Sequence, residues 1–218
     1  MHNNILIIGS GGHGKSVLDC VVQSGRFDEV VFASNADEPE PIGGYPVLDE
    51  RLLRFEDIRK RFDAAVVAIG DNRVRLSKTR ELLAAGVDLP VLVHPSASVS
   101  PFAKISPGTV ILAQASVNAF ASVGAACIVN TAAIVEHECN IGDGVHLSPG
   151  AAIGGGVAVG GLSWLCISSS IIDHITLAGG SVLAGGSCLT RDGSVPGLYA
   201  GSPATLKKRY DFLEGIDL

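Results

Sequence analysis

The sequence predicts an α/β domain followed by a parallel β-helix, and three observations carry that prediction. From Val99 to Leu189 an aliphatic residue recurs at every sixth position without a break, sixteen in all. Ahead of that repeat, short apolar runs alternate with stretches of helical periodicity. Between the first run and the first such stretch stands a glycine-rich turn, GSGGHGKS.

The chain of 218 residues is long enough for two small domains, and the repeat leaves roughly 95 residues ahead of it. Its net charge of -6 argues against a nucleic-acid binder, which needs a basic face to displace phosphate counterions. No long apolar run and no leader pattern occur, because the apolar opening Ile5 to Ile8 is interrupted by Gly9. A cytoplasmic protein without membrane insertion is the expectation. Five cysteines, at 20, 127, 139, 166 and 188, have neither the even count nor the spacing of a disulfide framework or zinc site. They read as packing thiols.

In the first 95 residues, Asn4 to Ile8 reads as a buried strand and Ser16 to Ser24 as a helix, with Val17, Leu18, Val21 and Val22 at helical spacing. Val30 to Ala33 reads as a second strand and Glu50 to Arg61 as a helix. Ala64 to Ile69 follows as a third strand, Arg73 to Ala85 as a helix, and Pro90 to Val93 as a last strand. This alternation implies a small parallel sheet of Rossmann type over residues 1–95.

The turn fits two templates. Gly9, Gly11 and Gly14 match the dinucleotide fingerprint, whereas Gly9, Gly14, Lys15 and Ser16 match the phosphate loop of NTPases, with Asp71 available for magnesium. Dinucleotide binding wants an acidic residue after the second strand, where the chain has Ser34 and Asn35. Common to both is a helix N-terminus whose N–H groups, uncovered by glycine, favour a phosphate; a tight turn that binds nothing is the plain alternative. His13 stands in this turn without a geometric reason. Asp71, Asn72 and Arg73 follow the third strand, as ligand contacts or as a helix cap.

A period of six fits neither an α-helix nor a heptad. It fits a coil of short strands in which each six-residue unit forms one flat side and points one aliphatic residue inward, three sides closing a turn. The residue four places later is mostly small, and Gly124, Gly142, Gly154 and Gly160 directly follow an aliphatic residue, which suggests glycine at the corners. On this coil, Glu136, His137 and Glu138 follow Val135 at outward positions. A carboxylate beside an imidazole fixes one tautomer and raises the basicity of the other nitrogen, as a general base requires. His146 lies half a turn further on. The histidine spacing does not converge on an ion, so no metal is expected.

These residues carry a family resemblance. The repeat is similar to that of the left-handed β-helix acyltransferases, and with the glycine-histidine turn the chain resembles the sialic-acid O-acyltransferase-type family over essentially its whole length. VEHECNIGDGVHLSPGA, GSGGHGK and AIGDNR look most like the bacterial UDP-4-amino-sugar N-acetyltransferases of bacillosamine synthesis. The resemblance implies an N-terminal domain over 1–95 that binds a nucleotide sugar and a left-handed β-helix with a C-terminal cap over 96–218. It implies no permanently bound cofactor, acetyl-CoA as co-substrate, a homotrimer, and acetylation of the C4 amine of a UDP-4-amino-4,6-dideoxy sugar. O-acetylation of a sialic acid or another sugar hydroxyl is the alternative, and a small ATPase or a non-catalytic scaffold are rivals of other classes. It makes His137 the base and Glu138 its partner. His146, Ile167 and Gly185 would contact acetyl-CoA, with the Gly155 N–H toward the thioester oxygen. Gly11, Gly12, His13 and Gly70 would meet the acceptor, as would Ser34 and Asn35, which stand where relatives usually have two acidic residues. Lys207, Lys208 and Arg209 would meet the nucleotide end of CoA, or form a solvated helix face over the last coil.

Overall fold

The computed structural model describes residues 3–37 and 40–210. Strands β1 (Asn4–Ile8), β2 (Glu29–Ser34), β3 (Val47–Asp49) and β4 (Ala64–Val67) form one parallel sheet in the order β3-β2-β1-β4. Both faces of β1 are covered, which explains its unbroken apolar run. Ile5 and Ile7 pack with Val17, Cys20 and Val21 of α1 (Gly12–Ser24), while Leu6 and Ile8 share the opposite core with Ile58 and Leu82. Those two residues belong to α2 (Phe55–Arg61) and α3 (Asn72–Ala84).

Three expectations change here. The helix read over Glu50 to Arg61 is broken: Asp49 accepts the Arg51 N–H at 2.9 Å and caps a single 3₁₀ turn, and α2 begins only at Phe55. β3 went unread because Pro46 and Asp49 leave it little apolar length. Pro90 to Val93 does not join this sheet; Leu92–Val93 pairs with Val110–Ile111 and opens the β-helix.

From residue 98 to 189 the chain runs as two-residue strands, and each one up to Ser170–Ile171 pairs in parallel with the strand eighteen positions on, as Ser122 with Asn140 and Ile128 with His146. They stack into three sheets of five, six and eight strands, the three sides of a triangular prism. Two residues per side point inward, the aliphatic one and the small one four places later. Val117, Val123, Val129 and Val135, with Ala115, Ala121, Cys127 and Ala133, are all within 1 % of full burial. Burial pushes the Cys127 thiol up to about 12, so it packs and does not react.

The corners differ from expectation. Fourteen successive corners, from Gly108 to Gly186, each hold one residue with φ between 54° and 70°, three places after the aliphatic residue, and eight of them are not glycine. The glycines directly after the aliphatic residue serve another purpose, close approach of coils. A Cβ on Gly160 would stand 2.6 Å from the Gly179 Cα, and one on Gly124 would stand 2.6 Å from the Asp143 N. Beyond the last coil, Gly197–Gly201 and Ala204–Arg209 form an antiparallel hairpin on the eight-stranded side, so Lys207, Lys208 and Arg209 lie on a strand and not on a helix.

One side chain bolts the two halves together. Arg75 of α3 is 1 % exposed and has all five donors engaged. Its Nε donates to Ala126 O (2.8 Å) and one Nη to Gly144 O (3.0 Å), both on the β-helix. The remaining donors hold Ile69 O, Gly70 O and Asn72 Oδ1. Asn72 in turn donates to Leu162 O and Ser163 O, both at 3.2 Å.

Two stability outcomes follow from this packing. Arg75→Met strands five acceptors, four of them carbonyls, and is expected to cost about 3 kcal/mol or more, with Arg75→Lys, which has three donors, not restoring it. Gly160→Ala should cost about 2 kcal/mol through backbone overpacking, whereas Ala132→Gly (φ 55°) should change stability by less than about 1 kcal/mol. Denaturant unfolding of the four variants checks both; a Gly160→Ala protein as stable as wild type would refute the close-approach account.

Candidate active site

The C-terminal ends of β1 and β4 flank the point where strand order reverses, the usual place for a ligand in an open α/β sheet. There a cavity of about 430 Å³ is lined by Gly9 to His13, Ser34, Asn35, Gly70, Glu50 and Lys78. The glycines of the turn divide by role. Gly9 has φ 115°, and a Cβ on Gly14 would collide with Gly9 O, so these two shape the turn. Gly11 and Gly12 face open space and leave the start of α1 accessible to an anion.

All six residues expected to meet the acceptor line this cavity, although the Ser34 hydroxyl is bonded to Ser10 Oγ at 2.7 Å and receives the Ala36 N–H at 3.2 Å. Its Nε2 buried and unpartnered, His13 is pushed down to about 4, first by burial and then by the Arg75 charge. The NTPase template fails on geometry. Lys15 and Ser16 line a different cavity from the glycines, and Asp71 caps α3 by accepting the Val74 N–H at 2.8 Å.

A second cavity of about 300 Å³ shares Gly70 with the first and lies between Asp71, Asn72 and Arg73 and the β-helix residues His146, Leu162 and Trp164. His146 and Trp164, eighteen residues apart, stack at 5.8 Å with 6° between planes. The His146 tautomer is fixed through Asn130. Asn130 Oδ1 accepts the Thr131 N–H at 2.8 Å, so its Nδ2 faces His146 Nε2 at 3.2 Å and donates to it. The ring proton therefore sits on Nδ1. Burial, followed by the Arg75 and His13 charges, pushes His146 down to about 3, so it stays neutral. The sequence does not single out Asn130 and Trp164, whereas Arg73 reads there as a ligand contact or part of a helix cap; adding eighteen residues to the register would have placed Trp164 over His146.

His137 lies elsewhere, on the corner between the six- and five-stranded sides. Its Nδ1 is 3.2 Å from Glu138 Oε2, and a carboxylate only accepts, so Nδ1 carries the proton and the Nε2 lone pair is free. Glu138 reaches it because φ is 59° at that corner. The ring lies over Gly155, where a Cβ would stand 2.6 Å from Cε1 and Nε2. The Gly155 N–H, expected to face the thioester oxygen, donates to Asp173 Oδ1 at 2.9 Å, just as the Ala125 N–H donates to Asp143 Oδ1 at 2.9 Å. Asp173 thus closes a corner, and this N–H is engaged.

The expected donor contacts also separate. Ile167 and Gly185 stand on successive coils of the corner after the eight-stranded side, with the Gly186 N–H on Ile167 O at 2.9 Å. His146 is on that same side, while His137 is at the far end of the six-stranded side, six residues of chain that reach at most about 20 Å. One chain therefore brings His146 to the cavity that adjoins the glycine-turn cavity at Gly70, but brings His137 to neither. His137 lines none of the cavities described.

Among the described residues, no helix is long and apolar enough to cross a membrane. None of the curated proteins compared with the chain matches it. Residues 4–82 match the family model of the PglD N-terminal domain. The acetyltransferase domain of PglB from Neisseria gonorrhoeae, also solved in complex with acetyl coenzyme A, is 34 % identical with a TM-score of 0.88, over 94 % of this chain and 100 % of that one. PerB from Caulobacter crescentus, solved in complex with CoA and GDP-perosamine, is 33 % identical with a TM-score of 0.84, over 94 % and 97 %. WeeI from Acinetobacter baumannii, at 21 % identity and a TM-score of 0.69, shares the fold. The chain is thus an acyltransferase with a left-handed β-helix, and it belongs to the hexapeptide-repeat sugar N-acetyltransferases that carry a PglD-type N-terminal domain.

Proposed function

We propose that the protein transfers an acetyl group from acetyl-CoA to the C4 amine of a UDP-linked 4-amino-4,6-dideoxy sugar, with His137 as general base. The observation that carries this reading is the His137 imidazole, held by Glu138 with its Nε2 lone pair free over Gly155. The amine loses a proton to Nε2 as its nitrogen attacks the thioester carbon; the carbon–sulfur bond then breaks and the CoA thiolate takes up a proton. No covalent enzyme intermediate is needed, since no serine or cysteine is bonded to the base. The complex of PerB with GDP-perosamine favours a second reading in which the nucleotide is GDP.

The separation of His137 from the acceptor cavity supports a site made by two copies of the chain: His137 and Glu138 from one, and His146, Ile167, Gly185 and the acceptor cavity from its neighbour. Three copies around a three-fold axis would give three such sites, with the donor in the groove between prisms. This division of residues also supports the boundary near residue 95, the front unit holding the nucleotide and the coils holding the donor.

Steady-state kinetics with UDP- and GDP-linked 4-amino sugars test the reading. His137→Ala should lower kcat by about 10²- to 10⁴-fold with little change in the acetyl-CoA KM, Glu138→Ala should lower it less, and His146→Ala should act mainly by raising that KM. Near wild-type turnover by His137→Ala at saturating substrates would refute the mechanism. The shared site has its own test. When His137→Ala chains are co-assembled with Gly12→Trp chains, each inactive alone, about a quarter of the interfaces regain a complete site. No recovery of activity, or a fully active monomer by light scattering, would overturn the two-copy arrangement.

A further inference from the structure

Two imidazoles meet on one edge of the prism, and the proposed mechanism employs one of them. Positions eighteen apart stand on successive coils, about 4.8 Å from each other. The edge that carries His137 and Glu138 therefore carries Gly155 and Gly156 on the next coil, and Asp173 and His174 on the one after. His137 leans forward, so that a Cβ on Gly155 would stand 2.6 Å from its Cε1 and Nε2. His174 leans back, so that a Cβ on Gly156 would stand 2.5 Å from its Nδ1 and 2.9 Å from its Cε1. The two rings approach adjacent residues of one floor from opposite sides, and glycine at both places makes room for them. Gly155 is buried at this edge although both histidines are exposed. The His174 backbone N–H donates to Gly155 O at 2.8 Å, which fixes its corner to the same floor.

The first ring can accept a proton, and the reaction also needs a hydrogen-bond donor. As the amine nitrogen attacks the thioester carbon, the π pair of the carbonyl moves onto its oxygen, which must be stabilised until the carbon–sulfur bond breaks and the pair returns. Neither glycine of the floor has a backbone donor to spare. The Gly156 N–H is bonded to His137 O at 2.9 Å, and the Gly155 N–H to Asp173 Oδ1 at 2.9 Å. Asp192 Oδ1 accepts the Thr176 N–H at 2.8 Å in the same way as Asp143 accepts at Ala125, so the Asp173 bond belongs to the construction of the corner. Its carboxylate would also repel an oxyanion placed against Gly155. Glu138 can only accept. The His174 ring is the donor that remains over the floor, and an imidazole carries at least one N–H in either protonation state.

We infer that His174 is a second catalytic group, whose ring N–H donates to the thioester carbonyl oxygen while His137 Nε2 takes the proton of the amine. The thioester lies across Gly155 and Gly156, with the amine nitrogen about 2.8 Å from His137 Nε2 and the oxygen about 2.8 Å from a ring nitrogen of His174. His174 gives up no proton in this step. The inference rests on the reading of His137 as base. Steady-state kinetics of His174→Ala, His174→Gln and His137→Ala test it, with light scattering to follow the mass of each. His174→Ala should lower kcat about 10²-fold and leave both KM values within about threefold, whereas His174→Gln, whose amide N–H can take the same place, should stay within about tenfold of wild type. A packing role would not move the infrared stretch of bound acetyl-CoA labelled with ¹³C at its carbonyl, which should lie lower in wild type than in His174→Ala. A kcat for His174→Ala within threefold of wild type, equal losses in His174→Gln and His174→Ala, a loss that follows a fall in mass, or an unshifted carbonyl stretch would each overturn the inference. Should His137→Ala keep wild-type turnover, the base reading falls and this inference with it; should His137→Ala be inactive and His174→Ala unimpaired, this inference falls alone.

Discussion

The fold depends on a buried guanidinium that has no carboxylate partner. Arg75 keeps its charge although burial pulls its pKa down to about 10, because five acceptors replace its water. A lysine in that place would have three donors on a flexible stem and would leave carbonyls unpaired. Arginine's planar fork instead fixes the Ile69 and Gly70 carbonyls against Ala126 and Gly144, so the turn that lines the cavity at the glycine loop is held to the β-helix. Gly70 lines both the cavity at the glycine turn and the cavity at His146, and the same clamp thereby sets the distance between them.

The second constraint is the shape of the coil. Two inward residues per side leave room for only one small core column, so each corner must turn within a few residues and adopts the left-handed region whether or not glycine is present. Eight non-glycine residues accept that conformation, at a cost of roughly 1–2 kcal/mol each, and at Glu138 the turn also brings a carboxylate beside the preceding imidazole. The same geometry places side chains on three separate faces. Residues close in sequence, such as His137 and His146, then stand on different faces, while residues eighteen apart, such as His146 and Trp164, are in contact.

This is why the fold was more legible in the sequence than the site. A strict period of six is a global pattern that no single residue can hide, and β1, α1, β2, β4 and α3 follow from apolar runs and helical spacing with shifts of a few residues at their ends. What local pattern could not supply was long-range: Leu92–Val93 joins the β-helix because Val110–Ile111 lies beside it, and β3 is a strand only because Phe32 and Ala33 offer it an edge. The histidines were visible as residue types, and the His137–Glu138 pair was readable because the two are adjacent. Asn130, whose own amide is oriented by Thr131, and the unpartnered Nε2 atoms of His13 and His94 are properties of packing, which composition and spacing do not encode.

Four of the five histidines among the described residues, His13, His94, His137 and His146, divide the chemistry by their surroundings. His13 and His146 are buried, and values near 4 and 3 mean that neither can hold a proton taken from an ammonium at neutral pH. Their neutral rings suit them to hydrogen bonding and packing beside a phosphate or a sugar. His94 is locked as a neutral donor by Ser96. His137 alone among the four combines exposure, a fixed tautomer with its lone pair outward and a carboxylate at Nδ1. A base of that kind must be open to receive substrate, yet acetyl transfer needs water excluded from the thioester. An open corner meets both demands only when another surface closes over it, and His137 lines none of the cavities of its own chain. The proposed two-copy site answers both demands at once: the chemistry asked of a base and the shape of the prism support the same proposal.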